Sequence, residues 1–322
     1  MDLLDKKILD QLDQNCRKSF AHIARNVRSS KAVVLYRVKR LERQGIIKKY
    51  LLSLNLGKLG FSTYKLYFKL WNYDEEAKKE WTNYLLGSPS VIHVIKTDGA
   101  FDFSIVIAVK GVTELDDFIS ELKNKFSRII RDYRLSIIVS TKIFGRAKLL
   151  LGKVEQNPKI EVFSAPAEKF ELDEKDRSIL FFLSEDASQP ILSLAKKTGL
   201  SVDIVKYRMK KLLKEGIINS FRILFDTNRL GYYHYVFLMN VKKSTPSDVK
   251  KLITWAQLSK NIIYITKRVG FWDYEIHVAL KNIDEYEFFS SDFEKEFSEI
   301  ISSYETLIQQ DILKLTYFPY SN

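Results

Sequence analysis

Three observations predict an α+β fold, with two winged helix-turn-helix domains alternating with two ferredoxin-like βαββαβ domains. A constant offset of 171 residues lays the first half of the chain on the second. Within each half the hydrophobic pattern changes from a helical period to strand-like alternation. The basic excess is concentrated at one end. At 322 residues the chain exceeds one ordinary core, and two to four domains are expected.

The offset carries Asp5, Ile8 and Leu9 onto Asp176, Ile179 and Leu180, and Tyr36, Arg37 and Lys39 onto Tyr207, Arg208 and Lys210. It also carries Gly99 and Asp102 onto Gly270 and Asp273. Between positions 2 and 145, 36 of 144 residues are identical without a gap. A gapless register of that length is a duplicated unit. The boundaries that follow are 1–60 and 172–231 for the helix-turn-helix domains, and 61–147 and 232–322 for the αβ domains. Residues 148–171 have no counterpart and read as a linker. Pro158 and Pro166 argue against one continuous helix there, although "KIEVF" suits a short strand.

Each element has a local reason. In "DLLDKKILDQLDQN", Leu4, Ile8, Leu9 and Leu12 share one helical stripe. "FAHIARNV" makes a second short helix with Ile23, Ala24 and Val27 inward. Ser30 suits the N-cap of a third helix from Lys31 to about Gln44, which Gly45 ends. "GIIKKYLLSLN" returns as extended chain, the wing. Then "STYKLYFKLW" reads as a strand, 75–86 as a helix, and "VIHVIKTDG" and "FDFSIVIAVK" as strands about a glycine turn. Residues 113–126 form a helix and "RIIRDYRLSIIVSTKIF" the last strand, completing β-α-β-β-α-β. The second copy repeats the order, with Ser201 as N-cap and Gly216 as stop.

The net charge is +12, and its placement points to a polyanionic partner. Residues 1–60 hold 14 Lys and Arg against 5 Asp and Glu, whereas 171–231 hold 11 against 9. On the third helix, Val34, Val38 and Leu41 face the core, leaving Ser30, Lys31, Ala32, Leu35, Tyr36, Lys39 and Arg40 on other faces and Arg37 flanking the stripe. A helix presented this way fits the major groove of double-stranded DNA. Lys48 and Lys49 on the wing are expected at the backbone beside it, and the amides near Ser19 to His22 at a phosphate. In the second copy Val202 and Asp203 replace Lys31 and Ala32, and Asn219 and Ser220 replace Lys48 and Lys49. Ser201, Lys206, Lys210 and Lys211 are therefore weaker candidates for DNA contact.

With these segments in place, "DLLDKKIL", "HIARNV", "VLYRVKRLERQGII" and the "TDGAFD" hairpin resemble a transcription regulator of the Lrp/AsnC family. The resemblance covers both copies and implies DNA binding plus αβ domains for effector binding and oligomerisation. Family members usually carry one unit per chain, so this chain looks like a covalent pseudo-dimer, with homo-oligomers expected. At the turn, "KKTGLS" in the second copy fits the pattern better than "RNVRSS" in the first, where Arg28 stands in place of glycine. The resemblance also makes Asp98, Gly99, Asp102, Gly270 and Asp273 candidates for a small-molecule effector such as an amino acid. The plainer reading is that each glycine makes a tight hairpin that its aspartate stabilises.

Other chemistries find little support. Cys16 is the sole cysteine, which excludes an internal disulfide and fits a reducing cytoplasm. The N-terminus reads as a charged helix rather than a secretory leader, and no apolar run approaches a membrane span. His22, His93, His234 and His277 occupy four different repeat positions, with no metal-ligand spacing and no cofactor motif. Sirohaem decarboxylases also resemble paired Lrp/AsnC units, and His93 falls near their active cluster. Ile95 and Lys96 stand where a tyrosine and an arginine would be wanted, and Tyr264 replaces the histidine in the second copy. His93 then reads as a strand residue at a surface or interface. A non-specific architectural DNA binder needs the same basic face and is the remaining alternative.

Overall fold

The computed structural model describes the chain except residues 72–73, 145, 153–160, 165–169, 243 and 321–322. The first copy runs α1 (Leu3–Gln14), α2 (Phe20–Val27), α3 (Lys31–Arg43) and β1 (Ile47–Leu54), then β2 (Ser62–Leu70), α4 (Glu75–Gly87), β3 (Val91–Asp98), β4 (Phe103–Val109), α5 (Val112–Phe126) and β5 (Ile130–Ile143). A short α6 (Ala147–Leu151) and β6 (Glu161–Ser164) follow. The second copy repeats the order as α7 (Glu174–Glu185), α8 (Ile191–Thr198), α9 (Val202–Lys214), β7 (Ile218–Phe225), β8 (Tyr233–Val241), α10 (Pro246–Leu258), β9 (Ile262–Gly270), β10 (Tyr274–Leu280), α11 (Ile283–Phe297) and β11 (Ile301–Leu315). Pro158 and Pro166 lie outside the described residues, while Glu161–Ser164 pairs with β5.

Helix starts are set by side-chain caps at matching positions. Asp2 and Asp173 accept the amides of Asp5 and Asp176, and Ser30 and Ser201 those of Val33 and Ile204. The two wings are not free. β1 and β7 pair antiparallel, with Tyr50 opposite Ile223, Leu51 opposite Arg222 and Leu52 opposite Phe221. Leu51 and Arg222 are each other's counterparts under the offset, so an internal two-fold axis passes through that pair. Both heads consequently share one core, in which Ile8, Ile23, Val34 and Leu41 meet Ile179, Leu194, Val205 and Leu212.

The other strands close on themselves. Each copy contributes four, ordered β5-β2-β4-β3 and β11-β8-β10-β9, and the edges join as β5–β9 and β3–β11. The length of β5 makes this possible: Ile130–Ile137 pairs with β2 of its own sheet, while Ser136–Ile143 pairs with β9 of the other. Alternate side chains point out to the helices or into the ring. Phe68, Trp81, Phe103 and Phe126 pack outside one half, and Phe237, Phe289, Phe293 and Phe297 outside the other. Inside, Tyr67, Phe101, Leu238 and Trp272 plug one part of the barrel. The remainder is the polar interior described below.

Candidate nucleic-acid interface and the barrel interior

Helix α3 turns its buried stripe of Val34, Val38 and Leu41 to the core. Ser30, Lys31, Ala32, Tyr36 and Lys39 are exposed, with Tyr36 at 60% of its full accessibility, and Leu35 is half-buried. Neither Lys31 nor Lys39 has an ion pair among the described residues. Arg25 and Arg28 of the preceding helix and turn are exposed beside this face. The expectation from sequence stops at the amides starting α2, although Arg25 is exposed on that helix and Arg28 caps its end. Ser19 caps that helix by accepting the His22 amide at 3.2 Å.

Arg37 and Arg40 are placed differently from expectation. Arg37 Nη1 donates to Asp2 and Asp5, at 2.6 and 3.0 Å, and Arg40 Nη2 lies 2.6 Å from Asp5. Hydrogen bonding from Arg37 holds the Asp2 carboxyl down to about 2. Both guanidinium groups therefore brace α3 against α1, where the buried Asp5 demands a cation. The groove-facing set loses two of its expected members.

Lys48 and Lys49 are also engaged, because the wing on which they sit is a paired strand. Lys48 Nζ lies 2.9 Å from Asp226 of the other copy, and Lys49 donates to the Leu315 carbonyl at 3.2 Å. Single-chain pattern reading has no access to that pairing, since the partner strand lies about half a chain away.

On α9, Ser201, Lys206, Lys210 and Lys211 are exposed. Lys206 leans to Asp203 at 3.7 Å, and Lys211 lies over the Phe170 ring at 5.5 Å. Arg208 repeats the brace of Arg37, reaching Asp173 at 2.6 Å and Asp176 at 2.9 Å. The turn before α9 uses Gly199 at φ +68°, whereas its counterpart Arg28 takes φ 55° and ψ 55°. The left-handed turn is kept in both copies, although only glycine adopts it without steric cost.

The hairpin residues form two matched anchors. Asp102 accepts the Leu70 amide at 2.7 Å and Lys69 Nζ at 3.0 Å, and Asp273 accepts the Val241 amide at 2.9 Å. Asp98 is exposed and accepts the Gly99 amide. Gly99, at φ +119°, lies against Leu307 and Thr306, and Gly270, at φ +133°, against Leu135 and Ser136. A Cβ on Gly270 would sit 2.8 Å from the Leu135 carbonyl oxygen. These glycines let each hairpin approach the last strand of the other copy.

The histidines are less scattered than their repeat positions suggest. His93, His234 and Tyr264 line one internal cavity, and His277 lies beside it. Gln309 Nε2 donates to His234 Nδ1 at 3.2 Å, His234 and His277 are bonded at 2.7 Å, and His277 Nε2 meets Glu275. Reading that chain from the amide fixes the tautomers: His234 donates from Nε2, and His277 donates to the carboxylate from its own Nε2. Burial pushes the His93 imidazole down to about 3 and drives His234 and His277 well below the ordinary range. The surface or interface reading of His93 is replaced by an inward one. For His277 the clue was the buried alternation Tyr274, Glu275, Ile276, His277, Val278, with Glu275 and His277 at the inward steps.

A winged helix-turn-helix DNA-binding model matches residues 1–48 and again 172–219. The HTH-type transcriptional regulator Ptr1 of Methanocaldococcus jannaschii is 34% identical over 122 residues, covering 38% of this chain and 80% of its own. The HTH-type transcriptional regulator FL11 of Pyrococcus horikoshii is 31% identical over 117 residues, covering 35% and 74%. The crystal structure of the siroheme decarboxylase NirDL superposes over 100% of this chain and 95% of that one, at TM-score 0.63 and 15% identity. That is a likeness of fold. No helix among the described residues is long and apolar enough to cross a membrane.

Proposed function

The chain belongs to the Lrp/AsnC family of helix-turn-helix transcriptional regulators, and from that premise we propose that it grips double-stranded DNA asymmetrically, through α3 far more than α9. The observation that carries this is the state of the lysines. At the start of α3, Lys31 stands exposed and without an ion pair among the described residues, where α9 has Val202 followed by Asp203, which draws Lys206 to 3.7 Å. Lys39 and its counterpart Lys210 are both exposed. Ser30, Lys31, Ala32, Tyr36 and Lys39, with Arg25 and Arg28, make the face offered to the groove. Ser201, Lys206, Lys210 and Lys211 make a second and weaker face.

The boundaries at 60, 147, 171 and 231 serve this arrangement as four domains. The strand order within each four-stranded half supports reading both αβ domains as ferredoxin-like. Asp102, Asp273, Gly99 and Gly270 serve barrel closure in this reading. Because both edges of each half are used within the chain, the pairing that a one-unit regulator makes between subunits is made here internally.

An asymmetric pair of heads addresses an asymmetric operator: one informative half-site and one that tolerates substitution. Selection of bound duplexes from random DNA with the full chain tests this. A motif with one strong half supports the proposal, and equal halves contradict the asymmetry. Failure to enrich any motif at moderate salt favours the architectural alternative, which differs in its ratio of specific to non-specific affinity. The enzyme reading has a shared fold in its favour.

A further inference from the structure

The ring of strands and the paired wings border a partly open cavity of about 220 Å³. Its walls are mostly apolar, including Ile92, Ile95, Ile138, Ile263 and Ile312, but four basic side chains also line it: Lys65, Arg146, Arg222 and Arg268. Glu275 is the only carboxylate among the lining residues. Arg146 and Arg222 share the one buried Asp13, at 3.1 and 2.9 Å. That leaves Lys65 and Arg268 facing Glu275.

Four donors fill the acceptor sites of Glu275. Its Oε1 receives Lys65 Nζ at 2.6 Å and His277 Nε2, and its Oε2 receives the Tyr67 hydroxyl at 2.6 Å and Arg268 Nη2. Both oxygens are occupied. Arg268 is 3% exposed, and its Nη1 and Nε have no partner among the described residues. His93 Nε2, across the cavity on β3, and the buried Ser136 Oγ are likewise unpartnered among the described residues. A guanidinium keeps its proton even when buried, and each unmet donor of this kind is desolvated without a compensating bond. Burial and the Arg268 charge also push the Lys65 amine well below its ordinary value, a strain that a nearby anion relieves.

We infer that the barrel interior is a binding site for a small organic carboxylate with an apolar body, its carboxylate seated against the unpaired donors of Arg268. The ligand carries no ammonium group, because the one carboxylate of the cavity is already saturated. A 2-oxo acid fits this chemistry, and the corresponding amino acid does not.

The site is single. Under the 171-residue offset Arg268, Glu275 and His277 correspond to Thr97, Ser104 and Val106, and Lys65 corresponds to Val236. A symmetric pair of separate chains would place two identical half-sites in the barrel. Fusion of the copies lets one wall become basic and the other stay neutral, giving one ligand per chain. This inference stands apart from the DNA reading, since binding is measured without DNA.

Titration calorimetry on the full chain tests it, with 4-methyl-2-oxopentanoate and phenylpyruvate against leucine and phenylalanine. At least one oxo acid should bind at one per chain, with its amino acid weaker by about tenfold or more. Arg268→Gln should weaken binding by about tenfold or more. Ile138→Phe fills the space beside Arg268, its neighbour across the β5–β9 pair, and leaves the ionic cluster intact. It should abolish binding while circular dichroism and thermal unfolding stay native, which keeps the test valid if Arg268→Gln fails to fold. No saturable binding of either oxo acid at millimolar concentration, or wild-type affinity in Ile138→Phe, overturns the site. Equal affinity for the amino acids overturns the assignment of an ammonium-free ligand.

Discussion

Arg208 on α9 holds the buried Asp176 of α7 at 2.9 Å, and 171 residues earlier Arg37 holds Asp5 at 3.0 Å. The two braces differ in redundancy. Asp5 keeps Arg40 as a second cation at 2.6 Å, whereas the counterpart of Arg40 is Lys211, which lies on Phe170. Removing Arg208 leaves a buried carboxylate without a cation, a loss of about 3 kcal/mol or more. Arg208→Ala should therefore destabilise the chain by clearly more than Arg37→Ala in urea unfolding. Equal losses would show that Arg40 does not hold Asp5 in solution.

Arg28 occupies a left-handed turn at φ 55° that its counterpart fills with Gly199. Relief of the steric cost predicts that Arg28→Gly raises stability by about 1 kcal/mol. The same change removes an exposed cation beside α3, so DNA affinity should fall as stability rises. A loss of stability would mean that the arginine side chain contributes packing that outweighs the turn.

The buried histidines predict acid sensitivity with a definite sign. His93, His234 and His277 have folded values far below 6.5, so they stay neutral in the fold and bind protons only when the chain unfolds. Their contribution is complete above the unfolded value and is lost as pH falls below it. The loss is about 1.4 kcal/mol for each histidine across the two pH units centred on the unfolded value, and the slope approaches that figure per unit only below them. Urea midpoints between about pH 7.5 and 5.5 measure it, and His93→Leu should remove about one third of the slope. A flat profile across that window would contradict neutral burial.

Burial pushes the Cys16 thiol up to about 12, in the core beneath the paired heads. Its thiolate fraction near neutral pH is roughly a thousandfold below that of a free cysteine. Iodoacetamide should therefore label the native chain only as fast as it unfolds. Rapid labelling without urea would mean that the two heads separate readily.

Much of this molecule was legible because its signals are local. The caps at Ser30 and Ser201, the helical stripe of Val34, Val38 and Leu41, and the stop at Gly45 each depend on neighbours within a turn or two. The offset made the duplication readable, and Asp102 with Asp273 proved to be matched backbone anchors. What remained hidden depends on partners far along the chain. Lys48 looked free until β7 placed Asp226 beside it, and Arg37 looked like a groove contact until α1 placed Asp5 under it. The interior cluster drew Lys65 from one copy and Arg268, Glu275 and His277 from the other. Strand alternation states which residues share a face, but not which strands share a barrel.

The central claim is that one head supplies most of the grip on DNA. Its most direct test is the salt dependence of binding to a selected duplex, for Lys31→Ala and Lys39→Ala against Lys206→Ala and Lys210→Ala. Each lost phosphate contact flattens the slope of log affinity against log salt by ~0.9. The asymmetric account predicts that flattening, with weakened binding, for the first pair and little change for the second. Equal effects from both pairs would contradict it.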